Sequence, residues 1–98
     1  MEDIVKRTKQ TIENYEKAVK YLDECNEFDF DSLLEAHRIA GTEAKGSELR
    51  EMWSEAKLVL PGPNNLGGVQ SLRKITRDSF TEAIIEFQKL VDTMQALL

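Results

Sequence analysis

The sequence predicts an all-α protein, an up-down-up-down four-helix bundle. Apolar residues recur at steps of three and four in four segments, which is the spacing of an amphipathic helix. No segment alternates apolar and polar residues over a useful length, as a half-buried strand would. Four such helices joined by short connections pack most simply as a bundle. The 98 residues are expected to form one domain spanning 1–98.

The first helix is predicted from about Asp3 to about Glu24, because no proline or glycine interrupts its pattern. Its apolar stripe contains Ile4, Thr8, Ile12, Tyr15, Val19 and Leu22.

The second helix is predicted from about Phe30 to Lys45, ending at Gly46 as a left-handed residue. Asp29 is the expected N-cap, with Asp31 and Ser32 as alternatives. If Asp29 is the cap, Phe28 and Leu33 stand at the positions of a hydrophobic staple. The inward stripe contains Leu33, Leu34, His37, Ala40, Gly41 and Ala44.

The third helix is predicted to start at an N-cap, Ser47, and to end before the loop Pro61–Asn65, where two prolines flank a glycine. Its apolar side contains Leu49, Met52, Trp53, Ala56 and Val59. We expect Trp53 in the core with its indole edge near the surface. Met52, like Met94 further on, is expected to fill the core.

The last helix is predicted from Gly67 or Val69 to about Ala96. Asp78 and Ser79 offer a cap for a separate helix, but no glycine or proline forces a break there, which favours one long helix. Its stripe contains Val69, Leu72, Ile75, Phe80, Ile84, Phe87, Val91 and Met94.

The charge balance excludes several classes of function. The net charge of −5 argues against binding to nucleic acid or to an anionic membrane surface, because both need a basic excess. No apolar run is long enough to cross a bilayer. Cys25 is the one cysteine, so it has no partner for a disulfide and no companion for a metal site. The acidic start is unlike a signal peptide, and a cytoplasmic protein is the simplest interpretation.

Known catalytic motifs are absent from the sequence: there is no phosphate-binding loop, HExxH, CxxC or GxSxG pattern. The pattern favours a phosphocarrier or a binding module over an autonomous enzyme, with no cofactor and no metal.

His37, the one histidine, is the residue with the clearest chemical potential. Its imidazole titrates near neutral pH and is therefore available as a nucleophile. Gly41 would lie one turn later in the same helix, where glycine costs about 1 kcal/mol relative to alanine but leaves the ring uncovered. Arg38 and Lys45 are close enough in sequence to neutralise a phosphoryl group. Alternatively, His37 is a half-buried side chain with a hydrogen bond, and Gly41 reflects close helix packing.

The segment from Leu33 to Thr42, LLEAHRIAGT, resembles the phosphoacceptor helix of histidine-containing phosphotransfer (HPt) domains, whose pattern is approximately A-H-x-L-K-G-S/T. The resemblance implies a four-helix bundle that relays a phosphoryl group between a sensor kinase or receiver domain and another receiver. His37 would be the acceptor. The resemblance further implies that six residues surround the phosphoryl group and meet the partner: Leu33, Leu34, Arg38, Gly41, Thr42 and Lys45.

Two departures from this pattern keep other functions open. Ala40 stands in place of the family's lysine, and the stretch from His37 to Gly46 is one residue shorter. The main alternative is a non-catalytic adaptor, inhibitor or regulatory subunit that binds a protein through an exposed helix face. A weaker resemblance is to the region upstream of the active site of Fic proteins, whose HPFxxGNGR motif is absent here. It is carried by His37-Arg38, Gly46, Leu49-Arg50, Trp53 and the loop Leu60-Pro61-Gly62-Pro63. An accessible His37 ring would favour phosphotransfer, whereas a ring covered by Trp53 or Phe80 would favour the adaptor.

Overall fold

Four α-helices make up the computed structural model, which describes residues 2–42, 45–58 and 67–98. These residues contain no β-strand, so the all-α prediction is confirmed. The helices are α1 (Glu2–Glu24), α2 (Phe30–Ala40), α3 (Gly46–Lys57) and α4 (Gly68–Ala96). Contacts join α1 to α2, α2 to α3, α3 to α4 and α4 back to α1.

The two long helices, α1 and α4, pack along each other and run in opposite directions. Near the end of α1, the carbonyl oxygen of Leu22 accepts a hydrogen bond of 2.9 Å from Nε of Arg73, which lies near the start of α4. At the other end of the pair, Val5 shares a buried cluster with Met94. Between these points the ring of Tyr15 packs edge-on against Phe80 and Phe87.

The start of α2 is fixed by a reciprocal cap, as the sequence predicted. Oδ1 of Asp29 accepts a hydrogen bond of 2.9 Å from the backbone N–H of Ser32, and Oγ of Ser32 accepts one of 3.3 Å from the backbone N–H of Asp29. Hydrogen bonds from Ser32 lower the pKa of the Asp29 carboxyl. Phe28 and Leu33, the expected staple, lie in one buried cluster.

The end of α2 differs from the prediction, because the helix stops at Ala40 and not at Lys45. Gly41 adopts a left-handed conformation with φ of 76°, which costs glycine little. The N–H groups of Gly41 and Thr42 then bond the carbonyl oxygens of Arg38 and His37 at 3.1 and 3.2 Å. These bonds satisfy carbonyl groups that a helix end leaves free. Ala44, expected in the same stripe, lies outside the described residues.

The start of α3 also corrects the prediction. The N-cap is Lys45, whose side chain makes no capping hydrogen bond, and Ser47 lies inside the helix. The helix ends at Lys57. Val59 and the predicted loop Pro61–Asn65 lie outside the described residues.

Helix α4 is continuous through 29 residues, which confirms the prediction of one long helix. Asp78 does not cap a second helix. Its carboxylate instead pairs with Lys74 Nζ at 2.6 Å, one turn earlier.

The core consists of two buried clusters. The larger contains residues of all four helices, among them Leu22, Leu33, Leu49 and Leu72. The smaller contains Val5, Ile12, Val91 and Met94, which come from α1 and α4. The expected positions of Trp53 and Met94 are confirmed, since Trp53 is half-buried against the larger cluster and Met94 is buried.

Three apolar residues expected in the core are exposed. Ile4 is 53% exposed, Met52 is 42% exposed and Ile75 is 63% exposed. Their neighbours Val5 and Thr76 are buried in α1 and α4 instead, so the packed face at these positions is rotated by about one residue from the predicted apolar stripe. Within the described ranges, none of the helices combines the length and the apolar character needed to cross a membrane.

Candidate functional site

His37 lies in the last turn of α2, where its ring is half-buried between α2 and α4. The imidazole packs edge-on against the buried ring of Phe80, with ring centroids 5.4 Å apart and an angle of 67° between the planes. Nδ1 of His37 is 2.8 Å from Oγ1 of Thr42. The ring is therefore held by one aromatic contact and one hydrogen bond.

The hydrogen bonds of Thr42 indicate which ring nitrogen carries the proton. Oγ1 of Thr42 donates to the carbonyl oxygen of His37 at 3.2 Å. A hydroxyl group has one proton, so with that proton donated to the carbonyl oxygen, the bond between Oγ1 and Nδ1 uses a proton on Nδ1. We infer that the neutral ring is protonated at Nδ1, which leaves the lone pair on Nε2.

Burial lowers the pKa of His37 below its ordinary value, because the low-dielectric surroundings disfavour the charged imidazolium. The ring is therefore neutral at pH 7. A neutral imidazole with a free lone pair on Nε2 can accept a hydrogen bond or act as a nucleophile.

His37 lines a cavity of about 220 Å³ between α2, α3 and α4. A second cavity, of about 310 Å³, lies between α3 and α4. Met52 and Ile75 line both cavities, so the two are adjacent, and we call them together the α3–α4 groove. Its lining consists of His37, Glu48, Leu49, Met52, Glu55, Ala56, Gly68, Ser71, Leu72, Ile75, Thr76, Ser79 and Phe80.

The groove is apolar and carries acidic charge at its border. Its lining includes exposed Met52 and Ile75 and two glutamates, Glu48 and Glu55. Among the residues that the structure describes, no lysine or arginine lines the groove. The groove is therefore better suited to an apolar or cationic group than to an anion.

Of the residues predicted around His37, the structure brings Thr42 into contact with the ring. Arg38 is instead bonded to Glu35, with Nε 2.8 Å from Oε2 and a second bond between Nη2 and Oε1. This pairing raises the pKa of the Arg38 guanidinium. Lys45 is exposed at the start of α3.

The remaining predicted residues have structural roles. Leu33 is completely buried in the larger cluster. Leu34 is half-buried against the larger cluster. Gly41 ends α2 and does not sit inside a helix beneath the ring, which corrects the explanation first given for that glycine.

The sequence did not identify Met52, Ile75 and Phe80 as site residues, although all three line the groove. Met52 and Ile75 were assigned to the core because their apolar character fits the helical period. Leu72, Ile75 and Thr76 have the spacing of an ordinary amphipathic stripe, so the sequence carried no signal for the exposure of Ile75.

The described residues contain no group of three or more histidine, cysteine or acidic side chains placed to hold a metal ion. Cys25 is a free, half-buried thiol whose Sγ donates to the carbonyl oxygen of Glu27 at 3.0 Å.

In comparisons with known proteins, no protein-family model, curated protein or solved structure matches the chain.

Proposed function

We propose that the chain is a non-catalytic interaction module whose α3–α4 groove binds an amphipathic helix of a partner protein. The observation that carries this proposal is the apolar α3–α4 groove, in which Met52 is 42% and Ile75 is 63% exposed. Large exposed apolar side chains grouped in a concavity are typical of a protein interaction site.

The length of the groove suits a short helix. Its lining on α4 extends from Gly68 to Phe80, which at about 1.5 Å per residue is about 18 Å. This accommodates about three turns, enough for apolar anchors at positions i, i+3 or i+4 and i+7 of the partner.

The acidic charge of the groove determines which charged residues we expect beside the apolar stripe of the partner helix. Glu48 and Glu55 border the groove, and the whole chain has a net charge of −5. A partner helix with lysine or arginine beside its apolar stripe is attracted, and an acidic one is repelled. Nε2 of His37 can accept a hydrogen bond from a donor on the partner.

The test uses two synthetic helical peptides with the same leucine stripe, one with lysine and one with glutamate on the other positions. Binding is followed by the fluorescence of Trp53, the one tryptophan, which is the neighbour of Met52. We expect the lysine peptide to bind, the glutamate peptide not to bind, and Ile75→Glu to weaken binding by at least about tenfold.

Ile85→Glu is the matched control, because Ile85 is 51% exposed on the same helix and is not among the residues that line the groove. This variant should bind the lysine peptide like the wild type. Equal binding of both peptides, or equal loss in both variants, would refute the groove as the binding site.

The proposal extends to the arrangement and location of the molecule. The contacts between successive helices and the opposite directions of α1 and α4 support an up-down-up-down bundle. The free thiol of Cys25 suits the reducing conditions of the cytoplasm.

A second candidate function is phosphotransfer through His37 to or from a receiver domain or sensor kinase. It is favoured by the bond between Nδ1 and Thr42, which orients a neutral ring with its lone pair on Nε2. It is the weaker candidate because Arg38 is paired with Glu35 and the ring packs against Phe80.

This candidate is tested with a phosphorylated receiver domain, or with a sensor kinase, ATP and Mg²⁺. Acid-labile, base-stable phosphate on the wild type and none on His37→Gln would establish His37 as the acceptor. A folded wild type that takes no label from several donors would exclude it.

A further inference from the structure

The two long helices extend well beyond the two short ones. α1 and α4 have 23 and 29 residues, about 35 and 44 Å at 1.5 Å per residue. α2 and α3 have 11 and 12 residues, about 17 and 18 Å. Both short helices pack at the end of the pair where Leu22 meets Arg73. The other end is held by the smaller cluster, whose members all come from α1 and α4.

The side of α1 that faces α2 continues past the end of α2. Ala18 is completely buried in the cluster that α2 shares. Seven residues are almost two helical turns, so Thr11 and Ile4 lie on the same side as Ala18, each two turns further out. Ile4 is 53% exposed there.

The side of α4 that faces α3 continues in the same way. Thr76 is buried and lines the groove beside Leu49 and Met52 of α3. Steps of seven from Thr76 reach Ala83, Leu90 and Leu97. Leu90 is 48% and Leu97 is 70% exposed. We call the surface formed by Ile4, Thr11, Ala83, Leu90 and Leu97 the uncovered α1–α4 face.

We propose that a second copy of this chain packs on the uncovered α1–α4 face, so that the extensions of two copies complete a four-helix bundle. A layer of two antiparallel helices of matching length would cover the uncovered α1–α4 face along its whole length. The extension of another copy provides such a layer, with a self-complementary surface. This inference concerns a different surface from the α3–α4 groove and does not depend on its function.

The position of α2 and α3 decides the symmetry of the dimer. A two-fold axis parallel to the helices would place both copies of α2 and α3 at the same end and on the same face, where they would clash. An axis perpendicular to the helices places them at opposite ends. Each α4 then lies antiparallel to the α4 of the other copy, with Leu90 and Leu97 in the contact.

Sedimentation equilibrium of the full chain tests the dimer at concentrations from about 1 µM to about 1 mM, the range in which a moderate Kd is resolved. We expect the mass to rise with concentration from 11.2 kDa to twice that value. Leu90→Glu should weaken the dimer at least about a hundredfold, because two-fold symmetry places the charge in the interface twice.

Ile85→Glu is again the matched control, since Ile85 is as exposed as Leu90 but lies five residues away, on another side of α4. It should dimerise like the wild type. Circular dichroism establishes that both variants are folded. A wild type that stays at 11.2 kDa throughout, or equal effects of the two substitutions, would overturn the proposal.

Discussion

The residue with the most constrained chemistry is His37, because its ring is held on two sides. Phe80 packs against the ring, and Nδ1 is hydrogen-bonded to Oγ1 of Thr42. Protonating Nε2 would place a charge in half-buried surroundings, which is why burial lowers the pKa of His37.

This lowered pKa predicts that the protein loses stability as the pH falls. In the unfolded chain a histidine titrates near about 6.5, whereas folded His37 has a lower pKa. Between the two values the unfolded state binds more protons, so the free energy of unfolding rises with pH and falls on acidification. Urea unfolding at several pH values between about 5 and 7.5 should show this loss, beginning below about pH 6.5.

The matched control is His37→Asn, whose amide can still donate to Thr42. Subtracting its pH profile removes the contribution of carboxyls such as Asp29, Glu35 and Asp78, whose pKa values are also lowered and which titrate in more acidic solution. Parallel profiles for the two proteins would show that His37 is not the group responsible.

At the residue scale, the sequence identified His37 and Thr42 as site residues but did not predict the hydrogen bond between them. The sequence suggests that Arg38 neutralises a phosphoryl group, and this role competes with an ion pair to Glu35, three residues earlier on the same helix. The ion pair needs no tertiary structure to form. Ile75 and Met52 were misplaced because helical periodicity gives the direction of a side chain and not whether another helix covers it.

Among the elements, α2 shows how a backbone conformation can end a helix before its apolar pattern does. Gly41 takes φ of 76°, a conformation that residues with a Cβ adopt at a cost of about 1–2 kcal/mol. Because Ala44 continues the apolar spacing in the sequence, periodicity alone predicts that α2 extends to Lys45. The capping signals at Asp29, by contrast, are local and predicted the start of α2 correctly.

The conformation of Gly41 predicts that Gly41→Ala destabilises the protein by about 1 kcal/mol. The added Cβ would meet no atom within 4 Å, so the cost comes from the backbone and not from a clash. Chemical denaturation of the variant and the wild type measures the difference.

Gly46→Ala is the control for this prediction. Gly46 has equally open surroundings but begins α3, where alanine favours the helical conformation by up to about 1 kcal/mol. We therefore expect changes of opposite sign at the two glycines. A loss of stability in both variants would refute the backbone explanation.

On the scale of the whole molecule, the uneven helix lengths produce an elongated shape, with extents of 51 × 28 × 21 Å. Four helices pack at one end, and α1 and α4 form a pair at the other. The sequence predicted four amphipathic helices but not this unevenness, since Ile4 and Leu90 satisfy the helical period whether or not a third helix covers them.

This difference in packing predicts a gradient of local stability along α1 and α4. In a dilute, monomeric sample, amide hydrogens in the paired end, residues 5–12 and 87–94, should exchange faster than those in residues 15–22 and 72–80. The reason is that local opening of the pair exposes only the small cluster of Val5, Ile12, Val91 and Met94. Hydrogen exchange followed by NMR gives the rate at each amide.

Protein concentration separates this packing effect from ordinary fraying of helix ends, which does not depend on concentration. If a second copy covers Ile4 and Leu90, raising the concentration slows exchange in residues 5–12 and 87–94, because the dimer stabilises only the state in which the pair is closed. Residues 30–34, at the start of α2 and at the opposite end of the pair from Ile4 and Leu90, serve as the internal reference and keep their rates. Uniform rates along α1 at low concentration would show that the pair is as stable as the four-helix end, and the gradient would then be refuted.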